Sequence, residues 1–490
     1  MRILWVFIIG ASTWPQNGAA EPMQGCKLAI IDFKEPAFEL PPCDEDTRMV
    51  SNGGVVQNPP KDYPHGDAHG LESHKYSQAA GPYWLAEAIR ASPLYTTDLD
   101  SATAVLADDY CHMSWLVAAA FGGGSHDGLD PLLMIQAGYQ HLLSTAGFQK
   151  YQGRDFAFFA PHPLIGPHFD PTLYCEHLRS ATHLVVEAPQ RLACTNASDN
   201  YLVVPYSSPK FAEESVGQTV ATRDLTAFFM ASCTDDMTYK VKDFGMKMRL
   251  HMVQKLGADP APDMFVKCAN EHRMPYEELQ AHMHRSIFCL LPPGGTASSR
   301  RLTDVVLSGC IPVFIGPPWH AMPLARHLDY TAFAVFVNAH SMRFLYGGQG
   351  VGRWNNVEES PFSNATSVFE PVFWFPEVNV SQVAIDIKDI AELPAKLRAI
   401  PAADIRRMQS SLAEAQPFFR YRRKPEEEAH AGVVTASDVI MEEMCRQGRM
   451  AQARAAAAPA EQPAQLPHKH GHVKQHIHGT ARTTLKGMLG

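Results

Sequence analysis

Two adjacent arginines, Arg300 and Arg301, follow a glycine pair (Gly294, Gly295) and a serine pair (Ser298, Ser299), and precede one carboxylate, Asp304. Guanidinium groups are planar forks of donors that match phosphate oxygens, and glycines let a ligand approach backbone N–H groups closely. The set suits a diphosphate. Arginine in the first turn of a helix opposes the helix dipole unless an anion is there to meet it. The same residues would also make a solvated basic turn on an ordinary α/β unit, and the pattern alone leaves both readings open.

The elements that must position these groups are legible around them. Ile287 to Leu291 is an apolar run of β-formers, and Pro292-Pro293-Gly294-Gly295 cannot continue it. Ser298 or Ser299 can cap a helix running from about Arg300 to Ser308, which Gly309 ends. Ile311 to Ile315 is apolar on both faces, as a buried parallel strand is, with Pro312 near its start where a missing N–H does little harm. The unit is a βαβ crossover.

Several ordered blocks extend this unit. Phe288-Cys289-Leu290, Pro293 to Gly295, Ser299 to Leu302, Asp304 and Ser308 to Val313 closely resemble the signature of the exostosin family, glycosyltransferase family 47. Met322-Pro323-Leu324 and Leu328-Asp329-Tyr330 downstream, and Ala91 to Asp98 and Val203 to Tyr206 upstream, are similar to further family segments. The resemblance runs from about residue 26 to about residue 442. It implies an α/β fold of GT-B type, two Rossmann-like domains facing an interdomain cleft. It also implies inverting transfer of a sugar from a nucleotide sugar, a UDP-sugar, to a polysaccharide or glycoprotein glycan.

On that resemblance Arg301 neutralises charge growing on the departing diphosphate, with Arg300 as its helper. Gly294, Gly295, Ser298 and Ser299 shape the donor loop, and Asp304 accepts hydrogen bonds from ribose hydroxyls. The plainer reading of Asp304 is a carboxylate favourably placed near a helix start. An inverting transfer also needs a base from the opposing domain. Phe156 to His162 resembles the family's strand ending in His-Asp, which makes His162 the candidate, against a structural hydrogen-bonding histidine. The chain departs from the family at Pro163, Gly295 and Ala321. Those departures keep a second reading, an inactive partner subunit that supports an active glycosyltransferase.

Asp98-Leu99-Asp100 has the spacing of a metal-binding carboxylate pair known in another glycosyltransferase fold, but it reads as a turn before a strand, and Asp235-Asp236 reads as a loop. No cofactor and no metal are expected. His468, His470, His472, His476 and His478 would suit a transition metal or a solvated low-complexity tail.

A chain of 490 residues is too long for one ordinary core and implies two domains plus extras. Hydrophobic residues at 46% and charged residues at 19% are those of a folded globular protein. A net charge of −9, with no dominant basic stripe, argues against a nucleic-acid partner. Residues 1–20 read as a signal peptide or short anchor: Arg2, the apolar run Ile3 to Ala11, then small residues at Gly18-Ala19-Ala20. Membrane association is expected only through that segment, if it is retained. Three sequons, at Asn196, Asn364 and Asn379, fit the Golgi lumen, where the family works. Ten cysteines could pair there; Cys26 with Cys43 and Cys175 with Cys194 are close in the chain, whereas Cys289 and Cys310, inside strand signals, read as small core residues.

Apolar strand signals at residues 26–33, 102–107, 156–160, 183–186 and 201–204 alternate with helices or turns, and a second series begins at Leu225. The expected division is an acceptor-side domain over 21–215, a nucleotide-sugar domain over 216–400, helices packing back over 401–445, and a disordered tail over 446–490, with Ser207 to Arg223 as the linker.

Overall fold

A computed structural model of the chain describes residues 23–33, 35–38, 50–51, 54–55, 80–109, 131–161, 173–187, 201–208, 223–233, 244–257, 262–269, 272, 274–293, 298–315, 322–341, 385–423 and 433–457. The expected α/β architecture is present as two parallel sheets with flanking helices.

The first sheet takes its strands in chain order: β1 (Leu28–Asp32), β2 (Ala104–Asp108), β3 (Phe156–Ala160), β4 (Thr182–Val185) and β5 (Tyr201–Val203), all parallel. Its strands are apolar on both faces because both faces are covered. Leu28, Leu106 and Phe159 belong to the cluster that includes Leu85 and Ile89 of helix α1 (Gly81–Arg90). Ile31, Val105 and Phe158 belong instead to the cluster of α2 (Pro131–Ser144) and α3 (Ala146–Tyr151).

The second sheet contains β6 (Leu225–Ala231), β7 (Met264–Cys268), β8 (Ser286–Leu291), β9 (Ile311–Ile315), β10 (Val335–Ala339) and β11 (Ile385–Ile387), in the spatial order β11-β10-β9-β8-β6-β7. The chain goes outward from β6 through α4 (Phe244–Gly257) to β7. It then returns through α5 (Tyr276–Arg285) to β8 on the other side of β6, and continues through α6 (Arg301–Leu307) to β9. The direction of winding therefore reverses between β6 and β8. Open α/β sheets bind ligands beyond the carboxyl ends of their strands at such a reversal, and the chain that leaves β8 there leads to the arginine pair at the start of α6.

The remaining helices close the molecule. Ile390, Leu393 and Leu397, around α7 (Leu393–Arg398), are fully buried, as their spacing anticipates. After α8 (Ala402–Ala415), residues 421–423 cross to the first sheet, where Tyr421 donates to the Pro205 carbonyl at 2.8 Å. Helix α9 (Ala436–Ala457) then packs on β2 and α1. It runs through Ala457, so the expected disorder from residue 446 is corrected for 446–457; the alanine-rich run is helical because Met444, Cys445 and Ala451 anchor one face. The histidines of the tail lie outside the described residues. At Gly448 a Cβ would stand 2.0 Å from the Thr103 carbonyl oxygen. Gly448→Ala must lift α9 off the sheet, and is expected to cost about 1–3 kcal/mol in denaturant titration; unchanged stability would contradict this packing.

Of the two cysteine pairs expected from the sequence, Cys26 with Cys43 is corrected. Cys26 bonds Cys445, 419 residues away, and so fastens α9 to the start of the first sheet; Cys43 lies outside the described residues. Cys289 and Cys310, taken as core residues, are buried but bonded to each other across the crossover unit, and Cys233 bonds Cys268. Cys175 is also disulfide-bonded, and Cys194 lies outside the described residues. Chain proximity misled for Cys26 because helix α9, from the far end of the chain, packs back onto the first sheet. Among the described residues no helix is long and apolar enough to cross a membrane. The leader, the sequons Asn196, Asn364 and Asn379, and the Asp235-Asp236 pair lie outside the described residues.

Candidate functional site

The site is built at the exit from β8. Leu291, Pro292 and Pro293 are buried, and the chain reappears at Ser298, 6% exposed, just ahead of α6. Gly294 and Gly295 lie outside the described residues. The helix occupies Arg301–Leu307, within the expected Arg300 to Ser308, with Arg300 rather than a serine as its N-cap. The Ser299 hydroxyl accepts from the Arg301 N–H at 3.3 Å, a local turn that orients the arginine pair. With only seven helical residues the dipole contributes little, and the positive potential of this corner comes from the guanidinium groups.

Those groups are organised by Asp304, whose side chain is fully buried. Its Oδ1 accepts from Tyr276 at 2.7 Å and from Ser208 at 2.8 Å; its Oδ2 lies 3.4 Å from Arg301 Nη1 and 3.5 Å from Arg300 Nε. Gln280 donates to the Tyr276 hydroxyl at 2.7 Å, and the Arg300 guanidinium stands 5.7 Å over the Tyr276 ring. Burial alone would push the Asp304 carboxyl up. The two guanidinium groups and the two hydroxyl donors outweigh it and hold the carboxyl below its ordinary value. The position assigned to ribose recognition is thus enclosed, with both oxygens engaged by protein. Asp304 positions the arginines, and its hydroxyl partners Tyr276 and Ser208 come from outside its own helix, so the plainer reading of a carboxylate serving a helix start does not describe it either. Its burial could not be read from the helix pattern because Tyr276 and Ser208 come from elsewhere in the chain.

Arg301 is 19% exposed at the side chain, and its Nε is buried with no hydrogen-bond partner among the described residues. Burial lowers its guanidinium below the usual value and the Asp304 charge opposes that, so it stays cationic. One edge of the fork is tied to Asp304, and donor capacity remains for an anion.

The first sheet supplies the facing wall. Tyr206, past the end of β5, is 2.9 Å from the Ser298 hydroxyl, and Glu187, two residues past β4, accepts from the Ser298 N–H at 2.7 Å. Leu324, in the left-handed backbone region at φ 51°, donates its N–H to the Val203 carbonyl at 2.8 Å. Ser207 and Ser208, at the start of the expected linker, are buried. Arg423 donates to the Ser208 carbonyl while its guanidinium lies 4.7 Å over Trp84, so the backbone at Ser208 is clamped against α1. His162 lies outside the described residues, as do Pro163 and Ala321. The Asp98-Leu99-Asp100 segment is an exposed turn in which Asp98 accepts from the Asp100 N–H at 3.1 Å. Tyr206 fell within a sequence block already noted; Glu187, Tyr276 and Ser208 carry no local signal.

One further carboxyl sits at the carboxyl end of the first sheet. Asp109, 3% exposed, accepts from Tyr139 at 2.5 Å and is pushed up to about 7, by burial first, with Asp108 adding and the Tyr139 bond opposing. The folded protein therefore holds this proton between about pH 4 and about 7, where the unfolded chain releases it, and stability drains away as pH rises through that window. Asp109→Asn removes the effect: its stability relative to wild type should be greater at pH 8 than at pH 5 in denaturant titrations.

The family model for the exostosin GT47 domain matches residues 53–346. With an α/β fold of two Rossmann-like domains in GT-B arrangement, and with that match over more than half its length, the chain belongs to the exostosin GT47 family. The resemblance drawn from the motifs is borne out. The chain is 29% identical to a probable glucuronosyltransferase of Oryza sativa subsp. japonica, over 34% of this chain and 39% of that protein. It is 29% identical to a probable arabinosyltransferase of Arabidopsis thaliana, over 29% of each. It is 37% identical to an exostosin-1 homologue of Caenorhabditis elegans, over 13% of this chain and 16% of that protein. The chain thus spans about two fifths of the first of these relatives and less of the other two.

Proposed function

We propose that this protein is an inverting glycosyltransferase that takes a sugar from a UDP-sugar and transfers it to a polysaccharide or glycoprotein glycan in the Golgi lumen. The observation that carries the proposal is the arginine pair gathered on buried Asp304, at the winding reversal of the second sheet and opposite the carboxyl end of the first. The family relatives' names as sugar transferases support the reaction class, and the described disulfides fit an oxidising compartment.

In the reaction an acceptor hydroxyl attacks the anomeric carbon, and the bond to the diphosphate oxygen breaks with its electron pair. The growing negative charge falls against Arg301 and Arg300, held in place before the reaction by Asp304, so little reorganisation accompanies the charge movement. The hydroxyl proton goes to a base on the acceptor side, for which His162 is the candidate. Since two guanidinium groups supply the positive charge, transfer is expected to persist in excess EDTA.

The test is to incubate the purified protein with a panel of UDP-sugars and glycan acceptors and to follow nucleotide release. Release that depends on Arg301 supports the reading. A wild-type protein that binds no nucleotide and releases none would overturn it.

A further inference from the structure

The N–H of Ser298, which stands between the glycine loop and the arginines, is already taken by an anion. Glu187 reaches it from the other domain, 111 residues away in sequence, with Oε2 at 2.7 Å from the nitrogen. The Ser298 hydroxyl is meanwhile held at 2.9 Å from Tyr206, half-buried in the same corner. Tyr206 is pushed above its ordinary value, by burial first; the Ser298 bond and Arg300 oppose this and the Glu187 charge adds to it. Glu187 and Arg300 thus act on one hydroxyl with opposite signs. A carboxylate from the acceptor-side sheet sits against the basic corner that a diphosphate would enter.

We propose that Glu187 is a positioning residue that stands in for the donor's diphosphate in the unliganded protein and is displaced when the diphosphate binds. The inference rests on the nucleotide-sugar reading above. At 2.7 Å the carboxylate fills the space in front of the N–H, so a phosphate oxygen cannot share that donor at full strength. Two anions in this corner would also repel each other. Binding is therefore an exchange of one anion for another, and donor affinity carries the cost of releasing a charge-assisted hydrogen bond. Because Glu187 is rooted at the end of β4, its release moves a side chain on the acceptor wall whenever the donor arrives. Occupation of the two halves of the cleft is linked in this way.

The exchange is tested by calorimetric titration of UDP, and separately of uridine, into the full-length wild-type protein, Glu187→Gln and Glu187→Ala. Both variants lose the charge, and Glu187→Ala also loses the acceptor, which guards against an amide oxygen taking over the same bond. The expected result is UDP bound about three- to tenfold more tightly by the variants, with uridine affinity unchanged, since uridine has no phosphate to compete. A merely structural role for Glu187 would shift both ligands together or neither, and would overturn the proposal. So would variants that bind UDP no better than wild type. A wild-type protein that takes up no UDP would bring down the nucleotide-sugar reading itself, a result distinct from one in which wild type binds and the variants gain nothing.

Discussion

Arg301→Ala is expected to lower nucleotide release by about two to three orders of magnitude, the usual consequence of removing one preorganised donor from developing negative charge. The side chain is held 3.4 Å from Asp304 Oδ2, and its Nε has no partner among the described residues. Its fork therefore retains capacity for a ligand oxygen at no conformational cost when the reaction occurs. The substitution also removes one of the two cations that compensate Asp304, so a loss of fold must be separated from a loss of chemistry. Thermal melts of the variant answer the first question. Arg301→Lys answers the second: a lysine keeps the charge without the planar fork, and should recover part of the rate. An Arg301→Ala protein that folds and turns over a UDP-sugar at the wild-type rate would remove the arginine from the mechanism.

Asp304→Ala should produce the largest loss of stability, about 3–5 kcal/mol in chemical denaturation, the range for removing one partner from a buried ion pair. Two guanidinium groups would be left close together with the balancing charge gone, and the hydroxyls of Tyr276 and Ser208 would lose their acceptor. Ser208 comes from the far side of the cleft, so cohesion between the domains should weaken with it. The pH dependence carries a definite sign. The folded carboxyl titrates below the unfolded one, so its contribution is complete above the ordinary carboxylate range, and is lost as pH falls through the lower folded value. The stability gap between wild type and Asp304→Ala should accordingly be full at pH 6 and close on strong acidification. A gap that widens in acid would mean the carboxylate is not stabilised as the geometry indicates.

The crossover unit was legible almost residue by residue. A strand expected over Ile287 to Leu291 is β8 at Ser286–Leu291, the strand at Ile311 to Ile315 coincides with β9, and α6 lies one residue inside its expected limits at each end. These features are set by neighbours: apolar runs, proline and glycine breaks, and a helix stop all act within a few residues. The exostosin signature was legible for the same reason, because its blocks are contiguous. The roles within the site were not. Asp304 in sequence is an acid near a helix start, and only the arrival of Tyr276 from α5 and Ser208 from the interdomain segment turns it into a buried anchor for arginines. Cys26 gave no hint of Cys445.

What the amino-acid order determined by itself was therefore the set of elements, their α/β class, and the placing of glycines, serines and arginines on one loop and its helix. Periodicity and chain breaking are local interactions, and local interactions survive in a linear text. What only the tertiary structure decided was which of those groups are enclosed and which stay open to a ligand, and that Glu187, past a strand of the first sheet, would accept from the Ser298 backbone ahead of α6. Burial and long-range hydrogen bonds depend on how two sheets are brought face to face, and no short stretch of chain contains that information.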